Sequence, residues 1–108
     1  MGKRKNEETV VAVEVLFPDK RYYKNEKEYI KELDRYQDIL MSEEFTTVLK
    51  LSNGLLIPPR DSNTYVAFCF KLNEQAENLC KILRNNKMNH GIGEAYIPKE
   101  IYKEVFGG

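Results

Sequence analysis

Thr9-Val10-Val11-Ala12-Val13-Glu14-Val15-Leu16-Phe17 is the stretch on which the reading of the fold turns. Four of its nine residues are valines, whose branched Cβ packs well on a pleated surface and crowds a helix. Pro18-Asp19 then closes the run with a turn signal. Side chains alternate across a strand, so Val11, Val13, Val15 and Phe17 share one face and Ala12, Glu14 and Leu16 the other. Thr64–Leu72 reads the same way. Val66, Phe68, Phe70 and Leu72 point to one side, and Tyr65, Ala67, Cys69 and Lys71 to the other.

Between these strands, Asn25–Met41 reads as a helix. Asn25 is a good N-cap with Glu28 three residues on, and Tyr29, Ile30, Leu33, Tyr36, Gln37 and Leu40 recur at helical spacing. Phe45–Leu51 reads as a strand, with Phe45, Thr47, Leu49 and Leu51 on one face, and Ser52-Asn53-Gly54 as a tight turn. Leu55-Leu56-Ile57 continues extended until Pro58-Pro59, and Arg60–Asn63 is a polar loop. After the second strong strand, Asn73 caps a helix over Glu74–Lys87, with Ala76, Leu79, Cys80 and Leu83 inward. Ile92–Ile97 is a short strand. Pro98, the helical spacing of Ile101, Tyr102, Val105 and Phe106, and Gly107 after them predict a short C-terminal helix.

The order is β-α-β-β-α-β, the split pattern of ferredoxin-like α+β domains. Right-handed crossovers then put two helices on one face of an antiparallel sheet. A polar tail, residues 1–8, precedes a single α+β domain, residues 9–108. This architecture hosts many unrelated functions and names none. The open face is expected to carry Ala12, Glu14, Leu16, Tyr65, Ala67, Cys69 and Lys71, extended by Thr46, Val48 and Lys50 and by Glu94 or Tyr96. Small and apolar residues with a few charges between them make a face that meets something. Glu14 on such a face wants a partner, and Lys71 is the expected one.

Composition excludes more than it assigns. The 108 residues carry 17 Lys+Arg and 17 Asp+Glu, a net charge of zero. Nucleic-acid binding is not expected from that balance, because sequence-independent affinity comes from phosphate neutralisation. Nor do the two strong strands offer a stacking platform on their open face, where Tyr65 is the one aromatic residue. Two cysteines make no disulfide framework. One histidine, His90, and two scattered cysteines make no metal-ligand spacing, so neither metal nor cofactor is expected. No secretory signal and no membrane span is visible, and the chain reads as cytoplasmic.

The neutral total conceals an acidic segment. Residues 25–44 carry seven carboxylates against three cations, with Glu32, Asp34 and Asp38 on the outer face of the first helix. An acidic helix can dock on a basic partner. Tyr22 and Tyr23, set among Lys20, Arg21 and Lys24, form an aromatic and basic cluster suited to anchoring an interface. Arg60 and Asp61, in the loop before the second strong strand, are candidates for binding a small anion.

These features point to a small binding or regulatory protein that acts by association, an inhibitor or adaptor, rather than an enzyme. The routes are the sheet face, its edge, or the Tyr22–Lys24 cluster, with a homodimer expected. Lysine- and asparagine-rich usage fits a phage or mobile-element origin. A second reading is a domain that binds an anionic ligand or nucleotide near Arg60–Thr64 at a subunit interface. A third is a small cofactor-free enzyme using His90 or Glu14.

Overall fold

The valine-rich stretch forms the inner strand β1, Glu7–Leu16, in a computed structural model that describes residues 6–57 and 65–107. β1 pairs antiparallel on both sides, with β3 (Tyr65–Phe70) and with β4 (His90–Pro98). The short β2 (Leu55–Ile57) pairs antiparallel with β3, giving the order β2-β3-β1-β4. Four helices complete the described chain: α1 (Glu26–Leu40), α2 (Glu43–Leu51), α3 (Asn73–Asn85) and α4 (Lys99–Phe106). The molecule is thus an α+β domain with a four-stranded antiparallel sheet, broadly consistent with a ferredoxin-like arrangement.

The strand faces follow from register. Val11 lies opposite Phe70, Val13 opposite Phe68 and Val15 opposite Val66. Val13, Val15, Phe68 and Phe70 are buried with Tyr36 of α1, Phe45 of α2, and Ala76, Leu79, Cys80 and Leu83 of α3. Three helices, rather than the expected two, contribute to this core.

The third is the clearest correction. Residues 45–51 are helical, not extended. Phe45, Val48 and Leu49 turn inward at a spacing of three and four, while Thr47 and Leu51 are exposed. The hydroxyl of Ser42 caps the helix by accepting from the Phe45 N–H at 3.2 Å, with Glu43 and Glu44 in the first turn, where the helix dipole favours carboxylates. Ser52-Asn53-Gly54 is the C-terminal cap of α2 and not a hairpin. Asn53 adopts a left-handed φ of 54°, and the Gly54 and Asn53 N–H groups donate to the carbonyls of Leu49 and Lys50. The same six-to-one closure ends α3, with Lys87 at φ 53° and the Met88 N–H on Leu83.

The other face of the sheet is half covered. Tyr102 and Phe106 of α4, their rings 5.3 Å apart, pack with Ala95 and Leu55 over buried Val10, Ala12, Cys69 and Ile97. α4 is placed by the Lys99 N–H, which donates to the Asn6 carbonyl at 2.9 Å, and ends at Gly107 in the left-handed region. Thr46, Val48 and Lys50 belong to α2 and do not extend this face. Glu94 and Tyr96 lie opposite Val11 and Thr9, which puts them on the side of the larger core.

Candidate functional site: the free edge of the sheet

β4 is a nine-residue strand at the end of the sheet. The Leu16 N–H donates to the Asn89 carbonyl at 2.9 Å, marking Leu16 and Asn89 as a hydrogen-bonded pair. In an antiparallel ladder such pairs recur at every second residue. Gly91, Gly93, Ala95 and Ile97 therefore turn their backbone groups toward β1. His90, Ile92, Glu94 and Tyr96 turn theirs outward, away from the sheet.

Natural edges are blunted by lysines, prolines, bulges or a covering element. From His90 to Ile97 the only ordinary charged side chain is Glu94, and Pro98 comes at the end. The opposite edge, β2, is three residues long. Two of the residues with outward backbone groups also expose apolar side chains, Ile92 at 48% and Tyr96 at 40%. The segment Gly91–Glu94 is flanked by a cavity on each face. One, about 430 Å³, lies between β4, β1 and the start of α3, with Val11, Asn73, Glu77 and Ile92 in its walls. The other, about 180 Å³, is walled by Ala12, Glu14, Gly91 and Gly93. A Cβ built on either glycine meets nothing within 4 Å, so packing within the chain does not demand glycine there. Glycine in a strand leaves room for a second backbone to come close.

Two residues singled out from sequence border this edge. Glu14 is exposed in the wall of the smaller cavity and Lys71 in that of the larger. They do not pair. Glu14 lies opposite Ala67, and Lys71 is four residues further along, roughly 13 Å at strand rise. Tyr65 lies opposite Leu16 and is half-buried. Cys69 is 1% exposed beneath α4, and loss of solvent pushes its thiol up to about 11. His90 opens β4, with its Nδ1 2.8 Å from the Met88 carbonyl.

The remaining candidates lie elsewhere. Tyr22 is 82% exposed in a single 3-10 turn, Lys20–Tyr22, with the Arg21 guanidinium 6.0 Å from its ring. Arg21 is itself held by Asp19, and its hydrogen bonds keep the Asp19 carboxyl below the usual range. Tyr23 packs on Tyr29 at 5.9 Å and shares an open groove of about 710 Å³ with Glu32, Asp34 and Asp38. The structure thus brings the aromatic cluster and the acidic helix together at Tyr23. Arg35, in the same groove, is committed to Glu32 and to the Asn86 carbonyl at 2.6 Å. Burial, followed by the nearby Glu32, raises the Tyr23 hydroxyl above its ordinary value. Arg60 and Asp61 lie outside the described residues.

Among the described residues no group of three His, Cys, Asp or Glu side chains is placed to hold a metal ion, and no helix is long and apolar enough to cross a membrane. Comparison with known protein families, with characterised proteins and with solved structures finds no match for this chain. Sequence reasoning missed the site as a unit because an edge is a property of strand order. Its one local signal is the absence of lysine and arginine from His90 to Pro98.

Proposed function

We propose that this chain is a binding protein, an inhibitor or adaptor, that works by accepting an extended segment along β4 without a chemical step of its own. The underlying fold is the ferredoxin-like β-α-β-β-α-β pattern with α2 and α4 as additions, and among the described residues no strand pairs with β4 on its outer side. The observation that carries the reading is the unprotected run from His90 to Tyr96, with exposed Ile92 and Tyr96 beside it. In strand addition, main-chain hydrogen bonds supply affinity and alternate side chains supply specificity. Here alternate side chains of an added strand would fall over the two flanking cavities in turn.

The test is a selection of random nine-residue peptides on the immobilised chain, followed by binding to Ile92→Pro. Proline at Ile92 removes a donor that faces outward and leaves the ladder to β1 intact. Enriched peptides of alternating apolar character, weakened about tenfold or more by Ile92→Pro, support the reading. Peptides that bind Ile92→Pro as well as the native chain, or no enrichment at all, overturn it. Thermal unfolding of Ile92→Pro within a few degrees of the native chain is the control for folding.

A further inference from the structure

We infer that the strand added to β4 is the β4 of a second copy, antiparallel, with Ile92 facing Ile92 across a two-fold axis; this rests on the edge reading above. Only residues with outward backbone groups can exchange hydrogen bonds at such a junction, so the bonded pairs are drawn from His90, Ile92, Glu94 and Tyr96. Centred on Glu94, the two carboxylates would stand directly opposite each other, which opposes pairing. Centred between Ile92 and Glu94, each Ile92 would face a carboxylate. Centred on Ile92, the apolar side chains meet each other and His90 of each copy faces Glu94 of the other.

The surroundings suit that last register. With the His90 Nδ1–H on the Met88 carbonyl, Nε2 can donate to the opposing Glu94 carboxylate in the imidazolium form, in which both ring nitrogens carry a proton. Pairing would run from His90 to Glu94 and stop there, because the Met88 N–H is already spent on the cap of α3. Three pairs exchange about six backbone hydrogen bonds. The cavity between β4, β1 and the start of α3 has room for the second Ile92, beside an Ile92 that is itself half exposed. A net charge of zero opposes nothing at long range and favours self-association over dispersal. The product is one continuous sheet built from two four-stranded halves, with the β4 edges consumed.

Light scattering and sedimentation of the native chain from about 1 μM to about 200 μM test the association. Ile92→Cys under mild oxidation tests the register, since Cys69 and Cys80 are buried and do not compete. A dimer that Ile92→Pro abolishes, with Ile92→Cys self-crosslinking and Glu94→Cys remaining reduced, is the expected result. A dimer crosslinked through Glu94→Cys and not through Ile92→Cys overturns the register. A dimer indifferent to Ile92→Pro lies on another surface and overturns the inference. A monomer throughout this range that still selects edge-binding peptides overturns the second copy and leaves the edge reading standing. A monomer that selects none removes both.

Discussion

The Tyr36 hydroxyl accepts a hydrogen bond from the backbone N–H of Asn89 at 2.8 Å, and this bond from α1 fixes the point where β4 begins. Tyr36 is buried, its ring 6.3 Å from Phe17, and Arg35 beside it holds the Asn86 carbonyl. Two consecutive residues of α1 therefore clamp the connection between α3 and β4. Tyr36→Phe keeps the ring and deletes the acceptor, leaving the Asn89 N–H without it. The expected loss is about 1–2 kcal/mol in urea unfolding. Faster amide exchange at Asn89 and His90 than elsewhere in β4 is the local signature. Unchanged stability and exchange would mean that water replaces the hydroxyl at no cost.

Lys87 sits at φ 53°, a conformation in which its Cβ is crowded by the backbone. Lys87→Gly is expected to raise stability by about 0.5–1 kcal/mol, the relief of strain exceeding the added freedom of the unfolded chain. Asn53→Gly, at φ 54°, should gain less, because asparagine tolerates this region. Thermal unfolding of the two variants side by side checks the ranking.

Gly54 follows Asn53 and lies against the core. A Cβ there would collide with Leu49 Cδ1 and come within 2.8 Å of Phe70 Cε2. Phe70 is fully buried and has nowhere to move. Gly54→Ala is therefore expected to cost about 1–3 kcal/mol. Gly91→Ala and Gly93→Ala, in open space, should stay within about 0.5 kcal/mol of the native chain. Equal effects at all three positions would contradict the packing described for Gly54.

Burial holds the Cys69 thiol at about 11 against an ordinary 9.0, and moves Cys80 the same way with Glu77 adding to it. Once unfolded, both thiols lose protons that the folded chain keeps, so stability falls as pH rises. The contribution is whole below about pH 8.5 and is lost progressively up to about pH 11, on the order of 2 kcal/mol for Cys69. Urea midpoints at intervals across this range should decline, and Cys69→Ala should flatten much of the decline. An identical slope in Cys69→Ala would assign the effect to other groups.

Much of the sheet is legible because its strands are written in valine and phenylalanine at a period of two. Val11, Val13 and Val15 against Val66, Phe68 and Phe70 are such a pattern, and their register confirms the pairing of faces. Phe45–Leu51 misleads because both periods fit it. Phe45 and Leu49 are four apart, which suits a strand face and a helix face alike. Val48 and the Ser42 cap decide for the helix, whereas Asn53-Gly54 reads as a hairpin until its N–H groups are seen to close α2. The open face was expected whole and is half covered, since nothing local in Tyr102 or Phe106 says which side of the sheet α4 will take. Alternation gives Glu14 and Lys71 one face, but Lys71 lies past the end of β3 and lines the cavity on the other face, a placement that register sets and the sequence pattern does not.

The two thiols lie on opposite sides of the same sheet, Cys80 in the three-helix core and Cys69 beneath α4. They form a pair of built-in clocks. A reagent that modifies both at one common rate reports global unfolding. One that reaches Cys69 first times the lifting of α4 while the larger core stays closed. The chain thus records, without any added label, whether its last helix comes away by itself.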